Sequence, residues 1–449
     1  MKNLALISLL ALSGCTLAPK YIQPASPVAD NWQVAAPVSD ADASLSWQSL
    51  LSDPNLQATI DLALQNNRDL RVAVLNIERA RAQYGISRSQ ILPAIDANLS
   101  QNRNQNGESF SANLSLSRYE IDLFGRVRSL NAAALEAFFA ERENRKAVQI
   151  SLIASVATQW LNMAADQDSL ALARQTLMTR RDALDIAEGR ARIGVLSDLD
   201  LNQATTQAEQ ARADVARLQT QLDQDRAALT LLVGASVPES DLPGGLKAGL
   251  VADSLPVGLP SDVLLNRPDV LTAEHDLKSA NANIGAARAA FFPSISLTAA
   301  TGSSSSDLNG LFDSGTGAWS FAPAISLPIF AGGANRAGLQ SAEASRDIAL
   351  ATYEKAIQSA FSEVNSALAV RARIDERLDA QTKATEAAQR SLALSQARYN
   401  SGIDGYLVLL DAQRTLYTSQ QALINLQALK ALNLVALYRA LGDGNSLEP

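Results

Sequence analysis

One cysteine, Cys15, and one histidine, His275, are all that this 449-residue chain has of either type. That leaves no disulfide pair and little from which to assemble a metal centre or a nucleophilic triad. His275 lies in AEHDLKSANANIGAARA, which reads as helix, where a satisfied or solvated imidazole is expected. There is no basic block either: 38 lysines and arginines are scattered among 46 acidic residues, for a formal charge of −8, which argues against a nucleic-acid partner. Gly332-Gly333 lacks the lysine and the strand–helix setting of a phosphate loop. Beyond the first residues, no apolar run approaches the about 18 needed for a membrane-spanning helix. Any membrane passage therefore falls to strands. Together these absences leave an enzyme reading with no residues behind it and call for no cofactor.

Proline is also missing where it would matter. All 15 prolines lie outside 94–237 and 329–448. Proline removes a helix donor and clashes with the preceding turn, so these two intervals can hold very long helices, and both are rich in Ala, Leu, Gln, Arg and Glu. Ala204, Ala208, Ala211, Val215, Leu218, Leu222, Asp225, Leu229 and Leu232 recur in alternating steps of four and three, a coiled-coil seam with one polar interruption. A helix over 127–192 would run about 100 Å at about 1.5 Å per residue, too long for a compact bundle.

The chain also repeats itself. Gly194 and Gly402, Leu199 and Leu407, Ala204 and Ala412, and Gly234 and Gly442 are all separated by 208 residues; NNRDLRVAV and NRPDVLTAE pair at an offset of 200. We divide the sequence into 51–236 and 262–442, two copies of one unit, joined by a Pro- and Gly-rich linker over 237–261 and followed by a tail, 443–449. Each copy contains alternating segments, at about 93–124 and about 293–330. Ile95, Ala97 and Leu99 alternate with polar residues, as do Phe110, Ala112, Leu114 and Leu116. Parity then switches to Tyr119, Ile121 and Leu123, which predicts a bulge near Arg118. Trp319, Phe321, Ile325, Leu327 and Ile329 share a parity in the second copy. Four such strands have membrane-spanning length, but four cannot close a barrel, and open edges cannot sit in lipid. Either the sheet is soluble or several chains close it together; a trimer would supply twelve strands.

The first residues carry a separate signal. Lys2 precedes the short apolar stretch Leu4–Leu12, and Leu12-Ser13-Gly14-Cys15 resembles a bacterial lipobox. This predicts a signal peptide over 1–14, cleavage before Cys15, a covalent lipid on its sulfur, and an N-terminal arm, 15–50, running extended along the surface. Thr16, in place of an aspartate, resembles the signal for outer-membrane sorting.

YEIDLFGRVRSLNAA, AARAAFFPSISLTAA, LPIFAGGANRAGL and ARYNSGIDGYLVLLDAQRTLYTSQQAL resemble the outer membrane factors of the TolC/OprM type, and NWQ and LSWQSLLSDPNLQATI resemble their lipoprotein branch close to OprM and NodT. The resemblance spans essentially the whole mature chain. It implies an α+β membrane protein: a homotrimeric 12-stranded outer-membrane β-barrel with four strands per chain, continuous with a long periplasmic α-helical coiled-coil barrel and girdled by an equatorial collar. It implies the passive exit duct of a tripartite efflux pump, lipid-anchored in the outer membrane and extending into the periplasm. The partners implied are a periplasmic adaptor (membrane fusion) protein and an inner-membrane transporter of the resistance-nodulation-division class. A type I protein-secretion duct is the alternative within the family, and a coiled-coil scaffold lipoprotein without a pore is the alternative outside it.

The resemblance places the helical tips, Gly194-Val195-Leu196-Ser197 and Gly402-Ile403-Asp404-Gly405, at the far periplasmic end, where they would dock the adaptor; on the residues alone the glycines need do no more than make the turns. Leu407 and Asp411, four apart on one helical face, match the leucine and aspartate that line the periplasmic constriction in lipoprotein relatives. On spacing alone Leu407 could equally sit in the seam. Arg398 and Tyr399 match latch positions in part, with Arg190, Arg192, Asp198 and Asp200 as possible partners. Gln203 stands where the second copy has Asp411, so only the second hairpin is expected to supply a carboxylate ring.

Overall fold

The computed structural model describes residues 16–33, 46–105, 107–247 and 261–442. Cys15 and the tail 443–449 lie outside them, and so do the signal peptide and parts of the arm and linker.

The elements run in the order α1 (Trp47–Leu50), α2 (Pro54–Asn66), α3 (Arg68–Ser89), β1 (Ile95–Asn104), β2 (Gly107–Ile121), α4 (Arg126–Arg192), α5 (Asp198–Val233), α6 (Pro268–Ala289), β3 (Ser294–Ser305), β4 (Gly317–Ser326), α7 (Ala334–Asn400) and α8 (Tyr406–Leu441), with short 3-10 helices at Glu239–Asp241 and Ser261–Asn266. Helices α4 and α7 each have 67 residues, α5 and α8 each 36, and α3 and α6 each 22. Two compact units result. One combines Ala73–Arg145 and Asp269–Ala356 with the N-terminal residues to Pro27; the other combines Val28–Val72, Lys146–Pro268 and Ile357–Pro449.

The first unit holds the sheet. Its strands lie in the order β1-β2-β3-β4, all antiparallel, with β1 and β4 as edges that pair with no other strand among the described residues. The expected bulge falls between Leu116 and Tyr119, where Arg118 adopts φ +49°. It keeps Tyr119 and Ile121 on the same face as Leu114 and Leu116 despite the parity change. Cross-strand register then collects Ile95, Leu99, Leu114, Leu116, Ile295, Leu297, Phe321 and Ile325 on one face. That face has no cover: Leu99 is 81% exposed and Trp319 80%. The opposite face is polar, with Asn98 donating to Ser115 Oγ at 2.8 Å and Ser100 bonded to Ser111 at 2.7 Å. Gly302 has to be glycine because a Cβ there would lie 2.1 Å from the Ala112 carbonyl oxygen on β2.

Residues 16–26 have no regular structure and are tied down along α6, whereas Trp47–Leu50, at the far end of the arm expected to be extended, are helical. Asn281 Nδ2 donates to the Pro19 carbonyl at 2.7 Å, and the Tyr21 hydroxyl donates to Glu274 Oε1 at 2.9 Å. Gly285 lets this segment pass, since a Cβ would meet Ala18 N at 2.7 Å. His275 is satisfied within the helix layer, its Nδ1 2.7 Å from Glu136 Oε2.

The second unit is helical. Asp53 caps α2 by accepting from the amides of Asn55 and Leu56, with Pro54 in the first turn where its missing N–H costs nothing. Trp160, Leu56, Ile60, Ile153, Leu161 and Leu229 are fully buried, and the Trp160 indole donates to the Asp241 carbonyl at 3.0 Å. Along α5 the seam buries Ala204, Ala208, Ala211, Leu218, Asp225 and Leu229 as spaced, but it ends on Val233 and leaves Leu232 only half-buried. A straight helix of 3.6 residues per turn drifts about 20° per heptad away from a 3.5 repeat, which moves the last contact by one residue. The polar interruption is satisfied on one side: Gln159 and Gln221 each donate to Asp225 Oδ1 at 3.1 Å, while the buried Oδ2 accepts from no nitrogen or hydroxyl donor among the described residues. Asp166 lies against it, and burial together with the Asp225 carboxylate raises its pKa to about 6.

Candidate functional site

Both helical hairpins of the second unit turn by the same local chemistry. At the end of α4 the Gly194 amide donates to the Ala191 carbonyl at 2.9 Å and the Val195 amide to Arg190 at 3.0 Å. At the end of α7, Gly402 donates to Tyr399 at 3.0 Å and Ile403 to Arg398 at 2.9 Å. This is the paired-bond Schellman stop, and it requires a left-handed residue; Gly194 has φ +76° and Gly402 +71°.

The following helices start differently. Ser197 caps α5, its Oγ accepting from the Asp200 amide at 3.2 Å and donating to Asp200 Oδ2 at 2.8 Å. Gly405 caps α8 without a side chain. There the Arg398 guanidinium clasps Asp404 through two bonds, of 2.6 and 2.9 Å, across the turn. This pairing holds the Asp404 carboxyl below its ordinary range.

Between the hairpins, Ala187, Ala204, Tyr406, Leu409 and Leu410 form a buried cluster, flanked by Leu184, Leu196, Leu201, Leu392 and Tyr399. Tyr399 and Tyr406 pack with ring centroids 5.8 Å apart. Arg190 reaches across, Nη1 lying 3.4 Å from the Tyr399 hydroxyl and its guanidinium 5.8 Å from the ring centre. A cavity of about 200 Å³ remains here, with Asp182, Arg190, Asp200 and Tyr399 in its wall.

Leu407 lies outside this cluster. Tyr406, Leu409 and Leu410 take the seam, while Leu407 is 66% exposed and Asp411, one turn on, is exposed on the same face. Asp411 has no hydrogen-bond or ion-pair partner among the described residues, and of the candidate latch contacts between the hairpins the one formed within a single chain is Arg190 with Tyr399. Arg398 is engaged with Asp404, Arg190 with Tyr399, and Asp200 with Ser197. Arg192 and the Asp198 carboxylate are exposed. At the turns, Val195 and Ile403 project apolar side chains into solvent.

Sequence reading missed Tyr406, the aromatic centre of the cluster, and Arg180. Tyr406 could have been found, since it opens α8 directly opposite Tyr399 across a seven-residue reversal. Arg180 carries no local signal: it is buried because Gln413, 233 positions away, packs over it and accepts from Nη1 at 2.6 Å.

Against known proteins, the outer membrane efflux protein family matches residues 59–235 and again 259–443. The solvent efflux pump outer membrane protein SrpC of Pseudomonas putida is 45% identical over 466 residues, spanning 99% of each chain. Outer membrane protein OprJ of Pseudomonas aeruginosa is 42% identical, over 98% of this chain and 95% of its own. Among solved structures, the open state of the Neisseria gonorrhoeae MtrE outer membrane channel superposes with a TM-score of 0.87 at 43% identity, covering 95% of this chain and 98% of that one.

Proposed function

This chain belongs to the outer membrane efflux protein family, and from that membership we propose that it is the exit duct of a tripartite efflux pump, a passive gated channel carrying drugs and other small toxic compounds from the periplasm to the exterior. The observation that carries the proposal is the sheet: four antiparallel strands, one face apolar and uncovered, both edges unpaired among the described residues. Open edges are not tolerated in lipid, where every backbone group must be bonded. Three copies joined edge to edge make a closed 12-stranded barrel, with Leu99, Trp319 and Phe321 toward lipid and Asn98, Ser100 and Ser115 toward a lumen wide enough for water.

The equal lengths of α3 and α6, α4 and α7, and α5 and α8 support two internal repeats, so that the trimer carries six helical hairpins into the periplasm, with residues 237–261 and the chain ends at an equatorial collar. No step in this duct is chemical; energy comes from an inner-membrane transporter of the resistance-nodulation-division class. A periplasmic adaptor docks at the exposed tips, Gly194–Ser197 and Gly402–Gly405. Leu407 and Asp411 form an apolar ring and a carboxylate ring where the threefold axis brings three copies of α8 together. The lipid on Cys15 adds an anchor beside an arm already fixed to the fold through Pro19 and Tyr21. Cys15→Ser should yield an unlipidated, mislocalised protein, read from the mass of the mature N-terminus; an unmodified cysteine in the parent removes this part of the proposal.

The duct itself is tested by reconstitution. Purified protein should have a detergent-corrected mass near three chains and give discrete, low conductance in planar bilayers. A monomer that does not conduct would leave the sheet without its closing partners and sink the duct.

A further inference from the structure

Arg180 is a buried cation without an anion. Its side chain on α4 is 6% exposed, makes one hydrogen bond, to Gln413, and has no carboxylate within ion-pair distance among the described residues. Lost hydration pushes its pKa down, and so does Arg414 on α8, a second guanidinium with no anionic partner among those residues. The Tyr406 phenol is the neighbour that acts the other way. Two hydroxyls close by are orphaned as well: Tyr406 and Tyr417 are buried at the oxygen with no hydrogen-bond partner among the described residues. Burial raises both phenols, so both remain O–H donors at neutral pH. The acid in the surrounding wall, Asp214 on α5, is occupied with Arg217 at 3.6 Å. The Arg180 guanidinium is thus left without an anion among the described residues, and an isolated buried charge is costly to maintain.

Space is available beside these donors. Arg180, Tyr417 and Thr176 line both a cavity of about 140 Å³, which continues toward Asp214 and Arg414, and one of about 420 Å³. The larger cavity has an apolar wall of Leu172, Leu392, Ala393 and Leu416, edged by glutamines. A cationic, donor-rich head joined to an apolar trough is complementary to one chemical class.

We propose that Arg180 and Tyr417 head a binding site for an amphipathic organic carboxylate, whose apolar body lies along Leu172, Leu392 and Leu416. The carboxylate accepts from the free guanidinium N–H groups and the Tyr417 hydroxyl, supplying the missing anion. Because the trough is walled by α4, α7 and α8, the ligand touches both hairpins of one chain at once. The site is separate from the Leu407–Asp411 face and does not depend on the duct assignment.

The probe is 4-(trifluoromethyl)benzoate, followed by fluorine NMR on the full-length protein in detergent, with 4-(trifluoromethyl)benzamide as the uncharged isostere. Saturable binding of the acid is expected, with the amide at least about tenfold weaker, as for loss of a hydrogen bond to a charged group. Arg180→Gln should weaken the acid by a similar factor and Tyr417→Phe by a smaller one, while the exposed control Arg373→Gln leaves it unchanged. Should Arg180→Gln fail to fold, Tyr417→Phe and anomalous density from a 4-bromobenzoate soak decide the case. Equal binding of acid and amide, bromine density away from Arg180, or parent-like affinity in Tyr417→Phe together with any folded Arg180→Gln overturns the site. So does an absence of saturable binding, the result expected if an acidic side chain of a second copy already occupies it.

Discussion

At Gly194 and at Gly402 the backbone follows one course, with matching left-handed glycines and matching pairs of amide bonds closing the helix before it. The side chains that secure the two reversals are different in kind. The first hairpin uses a helix cap, Ser197 to the Asp200 amide. The second has Gly405 at the equivalent place and relies on an ion pair, Arg398 to Asp404, with Arg398 54% exposed at its side chain. Deeper in the hairpins the divergence continues. Asp166 and Asp225 in the first stand 208 residues before Ile374 and Asn433 in the second, and Asn433 simply donates to the Ala367 carbonyl at 3.0 Å. Near the tip, Gln203 stands opposite Asp411. A turn that only glycine can make is kept at both ends, while whatever stabilises it from outside the backbone is free to change. The first hairpin thus has a capped tip over a strained acidic waist; the second has a tip held by an exposed ion pair and presents the Asp411 carboxylate over a waist where Ile374 and Asn433 replace the two acids.

The largest way to break this comparison is at Leu407 and Asp411. Replacing both with serine should raise single-channel conductance severalfold and weaken cation preference. In the proposed trimer, three carboxylates about 7 Å apart would repel by roughly 2 kcal/mol per pair at an effective dielectric near 20, and that local field is what the double variant would remove. The matched pair Leu199→Ser and Gln203→Ser should conduct like the parent. If the Leu407–Asp411 variant also conducts like the parent, with unchanged selectivity, neither hairpin carries the gate.

The acidic waist is next. Asp166 has a folded-state pKa of about 6, raised above its unfolded value of 3.8, so the folded protein binds the extra proton between those two values. Its contribution to stability should therefore be fully present below about pH 4, be lost as pH rises through 6, and stay lost above that. Asp166→Asn should flatten the dependence and raise the melting temperature at pH 7.5, while Asn433→Ala in the other hairpin should leave its shape alone. A parent whose melting temperature is flat from pH 4 to 7 would refute the strained pair.

Smaller effects sharpen the contrast between the tips. Ser197→Ala should cost about 1 kcal/mol through loss of the cap, whereas Gly405→Ser should add only a few tenths, since glycine is itself a fair cap. Local hydrogen exchange at the first turns of α5 and α8 would resolve both. Smallest of all is Asp404→Asn: an exposed pair contributes little and is screened by salt. What it does contribute should be present above the ordinary aspartate range near pH 4 and vanish as pH falls through the depressed folded value. Faster exchange at the second tip, abolished by added salt in the parent, is the signature to look for.

Much of this was legible along the chain. Proline-free intervals marked α4, α5, α7 and α8, alternation marked the four strands, and the parity switch located the bulge at Arg118, because each depends on neighbours within a turn or a pleat. The seam of α5 was read in place, with Val215 and Leu222 half-buried against it, up to Leu232, where accumulated helical drift hands the last buried contact to Val233. The two glycine reversals were equally local. Partner choice was not. That His275 meets Glu136 and that Arg180 is buried under Gln413 with no anion among the described residues were decided by segments 139 and 233 positions apart arriving within a few ångströms. Nor could spacing alone say whether Leu407 belonged to the seam, since positions 406, 409 and 410 fit the helical period as well. Periodicity fixes which faces a helix can offer; only packing decides which of them is covered, and so which charges are paired and which are left open.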